Sequence, residues 1–147
     1  MVHRFNDKGN LPSGIHWAEW TEFVDQFGWN LHRKNLIAGL KLGAISLKCA
    51  GCKTIYIDGS FVTSKNIPND FDVCWDTDNV DPELLDPILL IFDTGRATQK
   101  AKYKGEFFPA QITEQGSGRT FLEFFMVDKI SGERKGIIAI DLQGDFK

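Results

Sequence analysis

The sequence predicts an α+β fold, a small mixed β-sheet flanked by helices. Three observations predict it. Ile55 to Trp75, IYIDGSFVTSKNIPNDFDVCW, reads as a strand, a tight turn, a polar excursion and a second strand. Ahead of it, Leu36, Ile37, Leu40, Ala44 and Leu47 recur at helical spacing. Behind it, Glu106–Ala110 and the Gly-Ile-Ile-Ala-Ile-Asp-Leu run within Lys135–Leu142 read as further strands. There is no internal repeat and no low-complexity segment.

The 147 residues, 42% of them hydrophobic, suit a single domain, 1–147, with a core of its own. No apolar run approaches the length of a membrane span, so no membrane role is expected. A formal net charge of −3 argues against a general nucleic-acid surface but leaves room for a local basic patch. The same charge and the short chain argue against a template-gripping polymerase. Three cysteines and a polar start, MVHRFNDKGN, point to reduced thiols in a cytoplasmic setting. Cys49-x-x-Cys52 has no second pair or nearby His to complete a zinc site, and reads as a helix end running into a strand.

Residues 1–14, with Gly9, Pro12 and Gly14, read as a loosely held lead-in. Gly14 to Trp20 is a short extended segment. Thr21 is then a helix N-cap, with the helix running through Phe27 and stopping at Gly28. Asn30 caps a longer helix to Cys49, whose Arg33, Lys34, Lys41 and Lys48 read as a solvated face. Ile55, Tyr56 and Ile57 suit a buried strand. At Gly59-Ser60, glycine lets the backbone come close to a ligand, and serine supplies a hydroxyl and an N–H. Along the next strand, alternation puts Asp70, Asp72 and Cys74 on one face and Phe71, Val73 and Trp75 on the other.

Asp86-Pro87 is a helix start signal, and the apolar turn it opens, Ile88 to Phe92, should be buried. Thr94-Gly95 interrupts it, and a second helix runs from Arg96 to Tyr103. Arg96, Lys100, Lys102 and Lys104 form the one concentrated basic patch, expected beside the acidic cleft and in contact with substrate or partner. Gly105 ends that helix before the Glu106–Ala110 strand. Gly116-Ser117-Gly118 is a break, Phe121 to Val127 a short buried helix, and Ser131-Gly132 a turn before the last strand.

Seven acids and no Lys or Arg lie between Asp70 and Asp86. A calcium loop needs glycine at its sixth position and Glu at its twelfth. Counted from Asp70 these are Trp75 and Asp81, and from Asp72 they are Thr77 and Glu83, so the spacing fails. Two neighbouring carboxylates still repel each other, and a divalent cation is the usual relief. Serine or cysteine hydrolysis has no support: Ser60 has no nearby His, and His3, His16 and His32 lie far upstream in no motif.

Gly59-Ser60, a spacer and Asp70-Phe71-Asp72 resemble the signature of the nucleotidyltransferase superfamily that includes DNA polymerase beta and the minimal bacterial nucleotidyltransferases. The fuller run DGSFVTSK…PNDFDVCWD resembles a family of short, poorly characterised bacterial nucleotidyltransferase-like proteins, over Leu11 to Leu142. The resemblance implies that Gly59 and Ser60, with Lys65, hold the phosphates of a nucleoside triphosphate. It implies that Asp70 and Asp72 hold Mg²⁺ (or Mn²⁺), with a third acid from a neighbouring strand. Glu106 matches that position, where the superfamily usually has Asp. The sequence departs from the pattern after Ser60, where Phe61 follows and no glycine precedes Asp70, which bears most on Lys65. The activity implied is transfer of a nucleoside monophosphate from an NTP to a protein, RNA or small-molecule hydroxyl. Two other readings compete: a non-catalytic nucleotidyltransferase-like binding module, such as an antitoxin that neutralises a partner toxin, and an unrelated α+β domain whose acids only solvate a loop and cap a helix.

Overall fold

The computed structural model describes residues 4–128, 131–144 and 146. Its elements are β1 (Gly14–Trp17), α1 (Trp20–Phe27), α2 (Leu31–Cys49), β2 (Thr54–Asp58), β3 (Asp72–Trp75), α3 (Ala97–Tyr103), β4 (Glu106–Pro109), α4 (Phe121–Phe125) and β5 (Gly136–Asp141). Among the described residues the strands form one five-stranded mixed sheet in the order β1-β5-β2-β3-β4. The central β2 is antiparallel to both neighbours, whereas β1 runs parallel to β5 and β3 parallel to β4. The expected strand pair forms, with Ile55 opposite Trp75 and Ile57 opposite Val73. No helix among the described residues is long and apolar enough to cross a membrane.

Period-two alternation gives the sheet two different faces. Ile55, Ile57, Phe71, Val73, Trp75 and Phe107 point into the main core, where Phe23 and Phe27 of α1 and Leu36, Leu40, Ala44 and Leu47 of α2 meet them. Cys74 and Phe108 point the other way, against Phe125 of α4, with Tyr56 and Phe121 beside them. Helix α2 starts where expected, the Arg33 N–H donating to the Asn30 side chain at 2.8 Å. The N-cap of helix α1 lies two residues before Thr21: Glu19 is the cap, and its N–H donates to the Glu22 carboxylate at 3.0 Å. Gly39 of α2 lies against the Tyr103 carbonyl, so closely that a Cβ would collide with it, which seats α3 on α2.

Three expectations are corrected. Within the described part of the lead-in the chain is pinned: Leu11 is buried, Phe5 packs edge-on to Phe27, and Ser64 N–H donates to the Gly9 carbonyl at 2.8 Å. Residues 1–3 of that lead-in lie outside the described residues. The apolar stretch after Pro87 is a single 3-10 turn, Pro87–Leu90, that buries Leu89 and leaves Leu90, Ile91 and Phe92 exposed. One tight turn offers one inward position, so its neighbours cannot follow.

Arg33 is the third correction. It is no surface residue but 0% exposed, at the junction of α2 with the segment after Gly59-Ser60. Its guanidinium donates to the carbonyls of Phe27 (3.1 Å), Phe61 (2.7 Å), Thr63 (2.9 Å) and Lys65 (2.5 Å). It also stacks 3.7 Å from the Trp29 ring centroid and 4.7 Å from that of Phe61. Burial pulls its pKa down to about 10. The carbonyl oxygens replace water around the charge, and in return the chain from Phe61 to Lys65 is tied to α2.

Candidate acidic site

Register assembles the site. Asp58 at the end of β2 is opposite Asp72 on β3, and Asp72 is opposite Glu106 on β4. Partners in register project from the same face, so three carboxylate residues stand in a row across three adjacent strands. Like charges directly opposite are unfavourable in a sheet, which makes such a row expensive to keep without a use. Asp70 joins it just before β3. Together Asp70, Asp72 and Glu106 line a cavity of about 330 Å³, with Glu114 and the rings of Phe108, Phe121, Phe124 and Phe125. Acids form one part of the wall and aromatic rings the other.

A cation from the chain already lies among these acids. Lys100 Nζ of α3 is 3.3 Å from Asp70 Oδ2 and 3.0 Å from Glu106 Oε1. Hydrogen bonding to Glu106, then the charges of Glu106 and Asp70, raise the Lys100 pKa against the opposing effect of burial. Lys104, in the left-handed conformation at φ 67°, ends α3 and turns the chain into β4, which fixes how close Lys100 sits to Glu106.

The Gly59-Ser60 turn reaches the acids through its glycine. Gly59 has φ +78°, and a Cβ there would strike the Asp72 carboxylate, so glycine alone lets the turn back onto Asp72. Asp58, just before it, is buried, and Cys74 Sγ lies 3.7 Å from Asp58 Oδ2. Burial, then the Asp58 charge, pushes the Cys74 thiol well above its ordinary range. Ser60 and Lys65 do not line the cavity. The Ser60 carbonyl accepts from Thr63 Oγ1 at 2.6 Å. Lys65 is exposed, and its main-chain carbonyl accepts from Arg33.

Carboxylate oxygens are the donors that hard cations such as Mg²⁺ take, so the residues fit in kind. They are not a closed cage as they stand: among the described residues no three His, Cys, Asp or Glu side chains are gathered closely enough to hold a metal ion. The geometry shows a reason, since Lys100 lies between Asp70 and Glu106.

The basic segment divides. Lys102 Nζ turns away to Asp86, 2.6 Å from Oδ2, where the Tyr103 hydroxyl also donates. Lys104 is exposed. Arg96 lies 4.1 Å over the Phe92 ring and 4.3 Å over that of Phe108, and of these three residues it is Phe108 that lines the cavity. Two cavity acids or neighbours escaped the sequence reading. Asp58 had a signal, a carboxylate at the strand end immediately before Gly-Ser. Glu114 had none, since it arrives on the loop after β4 and its carboxylate caps the Gly116–Ser117 turn at 2.9 and 2.7 Å.

No curated protein and no solved structure matches the chain. Residues 3–141 match a family of unknown function, DUF6932, and the chain belongs to that family.

Proposed function

We propose that the chain is a metal-dependent nucleotidyltransferase that moves a nucleoside monophosphate from an NTP to a hydroxyl of a protein, RNA or small molecule. One observation carries this reading: Asp72 and Glu106 are register partners on adjacent parallel strands, and Asp70 opens into the same cavity. Asp70, Asp72 and Glu106 would hold Mg²⁺ or Mn²⁺. A divalent metal bound there would supply charge neutralisation and a more acidic acceptor hydroxyl.

The chain's own residues do the positioning, which is most of what phosphoryl and nucleotidyl transfer asks of a protein. Gly59 brings the Gly-Ser turn against Asp72, at the edge of the cavity where phosphates would lie. Phe108, Phe121, Phe124 and Phe125 keep water from one side of the cavity and offer ring faces to a base. Arg33 holds the turn's far end through the carbonyls of Phe61 and Thr63.

The binding-module reading has an observation of its own. Lys100 pairs with Asp70 and Glu106 and offsets one of their two charges without a metal, so the acid row can persist as a partner surface, for instance on an antitoxin. One experiment separates the two. Melting is followed with Mg²⁺ or Mn²⁺ and each NTP, alongside transfer of label from each NTP to lysate acceptors. Ligand linkage predicts a gain of about 2.7 kcal/mol at a hundred times Kd. Asp70→Asn and Asp72→Asn should remove that gain, and Glu106→Gln should reduce it. Full metal-dependent stabilisation in both Asp variants refutes the site, and stabilisation without transfer of label favours the binding module.

A further inference from the structure

We propose that Arg96 and Lys100 form a polyphosphate subsite on the α3 side of the acidic cavity, and that Lys100 is released to it when a divalent cation enters among the acids. The inference rests on the metal-site reading above and names the residues that would hold the anionic part of the substrate.

Arg96, at the N-cap of α3, and Lys100 both lie near Glu106 of the cavity: Lys100 Nζ is 3.0 Å from Glu106 Oε1, and the Glu106 charge acts on the Arg96 guanidinium. Lys100 touches Asp70 and Glu106, and Arg96 stacks on Phe108, which lines the cavity with them. Lys102, two residues on, points elsewhere and is paired with Asp86. The basic segment is therefore not one patch but a pair aimed at the site and a lysine held by a carboxylate outside it.

Arg96 carries two costs, set against its stacking on Phe92 and Phe108 and the charges of Glu106 and Asp93. Its backbone is left-handed, at φ 52° and ψ 38°, a conformation worth about 1–2 kcal/mol against an L-residue with a long side chain. Its Nη1 is buried and has no hydrogen-bond partner among the described residues. A guanidinium nitrogen taken from water without a partner is unfavourable, and native structures seldom keep one. Strain and an unmet donor on one residue, at the rim of a cavity, point to a ligand that supplies the missing acceptor.

Charge decides which ligand. The cavity holds four carboxylate residues against the one ammonium of Lys100, an excess of negative charge that disfavours an anion. A divalent cation held by Asp70, Asp72 and Glu106 would reverse that, and would compete with Lys100 for Asp70 and Glu106. The ammonium so freed lies next to the Arg96 guanidinium, whose planar fork matches phosphate oxygens. A polyphosphate is the anion that uses metal, fork and ammonium together. It could belong to an NTP or be inorganic, and the two are distinguished by titrating both.

The test uses the full chain and two probes. Inorganic tripolyphosphate and ATP are titrated calorimetrically with and without saturating Mn²⁺, and Mn²⁺ binding alone is followed by electron paramagnetic resonance. Wild type should bind tripolyphosphate only with Mn²⁺. Arg96→Met and Lys100→Met should each weaken it about tenfold, the loss of one or two charge-assisted hydrogen bonds. Arg96→Lys should recover part of the loss, and guards against a folding defect in the Met variant, which melting curves also check. Lys102→Met should stay within about twofold of wild type, as expected for an exposed ion pair outside the cavity. Mn²⁺ alone should bind Lys100→Met more tightly than wild type and Arg96→Met equally well. Equal fractional losses for ATP and tripolyphosphate mean that the subsite reads phosphate wherever it comes from. If Mn²⁺ binds wild type but tripolyphosphate binds both Met variants as it binds wild type, the subsite is refuted and the metal site stands. If Mn²⁺ does not bind wild type, both are refuted.

Discussion

Two regions of this molecule hold an arginine against aromatic rings, and they do opposite things with it. Arg33 lies over Trp29 and Phe61 and donates to carbonyls of four residues, Phe27, Phe61, Thr63 and Lys65. Arg96 lies over Phe92 and Phe108, yet its Nη1 finds no acceptor among the described residues. Around Arg33 the partners are neutral backbone groups that cannot leave. Around Arg96 and Lys100 the partners are side chains at the rim of a cavity, and Lys100 is paired with carboxylates that a metal could claim. The difference teaches how to separate architecture from function among buried cations: where the fold satisfies every donor, the residue holds the fold, and where donors are left over or exchangeable, the residue is available to a ligand.

Deleting each guanidinium group in turn should give the largest difference between the two regions. Arg33→Met should cost about 3–5 kcal/mol, because buried carbonyls lose a charged donor and the Phe61–Lys65 segment loses its tie. For a chain of this size that is a fall in Tm of roughly 6–20 °C. Arg96→Met should change stability by no more than about 1 kcal/mol, since relief of an unmet donor offsets lost stacking. Equal losses in thermal melts would erase the distinction.

A smaller effect tests how the two regions are joined, through the turn that Arg33 secures and Asp72 backs. Gly59→Ala forces a side chain into a left-handed position and against the Asp72 carboxylate. The expected loss is about 1–3 kcal/mol, accompanied by loss of the Mn²⁺-dependent rise in Tm as Asp72 is displaced. A variant that melts and binds Mn²⁺ as wild type does would mean that turn and acid are independent.

How much of this was legible in the sequence follows from how local each signal is. Alternation along Phe71 to Trp75, the Asn30 cap and the Glu106 strand were readable, because each is written within a few neighbouring residues. Arg33 was misread although its position was informative: it sits three and seven residues before Leu36 and Leu40, on the apolar stripe of α2. The carbonyls that let a charge occupy such a place come from a loop about thirty residues away. The exposed Leu90–Phe92 segment has the composition of a buried helix, and only the shortness of its 3-10 turn turns it outward. Asp58 enters the acid row through strand pairing, a contact between elements that spacing along one element cannot disclose. Lys100 lies beside the acids as the charge of its segment led one to expect, whereas the turning away of Lys102 to Asp86 was not readable.

The smallest effect is expected at Asp86, which lies between the two extremes. Its carboxylate is mostly buried and held from within the chain, like the surroundings of Arg33, but its partners are side chains, like those of Lys100. It accepts from Lys102 Nζ at 2.6 Å, from Ile88 N–H at 3.0 Å and from the Tyr103 hydroxyl. Burial by itself would raise its pKa, and these donors together outweigh burial and hold it below its ordinary value. A carboxyl more acidic in the folded state than in the unfolded one contributes stability that is complete above its unfolded pKa, about 4. That contribution is lost as pH falls through the lower, folded value. Half-exposed Lys102 is screened by solvent, so the whole effect is set at about 1 kcal/mol. Asp86→Asn should therefore be less stable than wild type by about 1 kcal/mol at pH 7, and the gap should close as unfolding in urea is repeated at successively lower pH below 4. Mn²⁺ binding should be unchanged, because Asp86 does not line the acidic cavity. A gap that stays open at low pH would show that hydrogen-bond geometry at Asp86, and not its charge, supplies the stability; a change in Mn²⁺ binding would show that the two sides of α3 are coupled rather than separate.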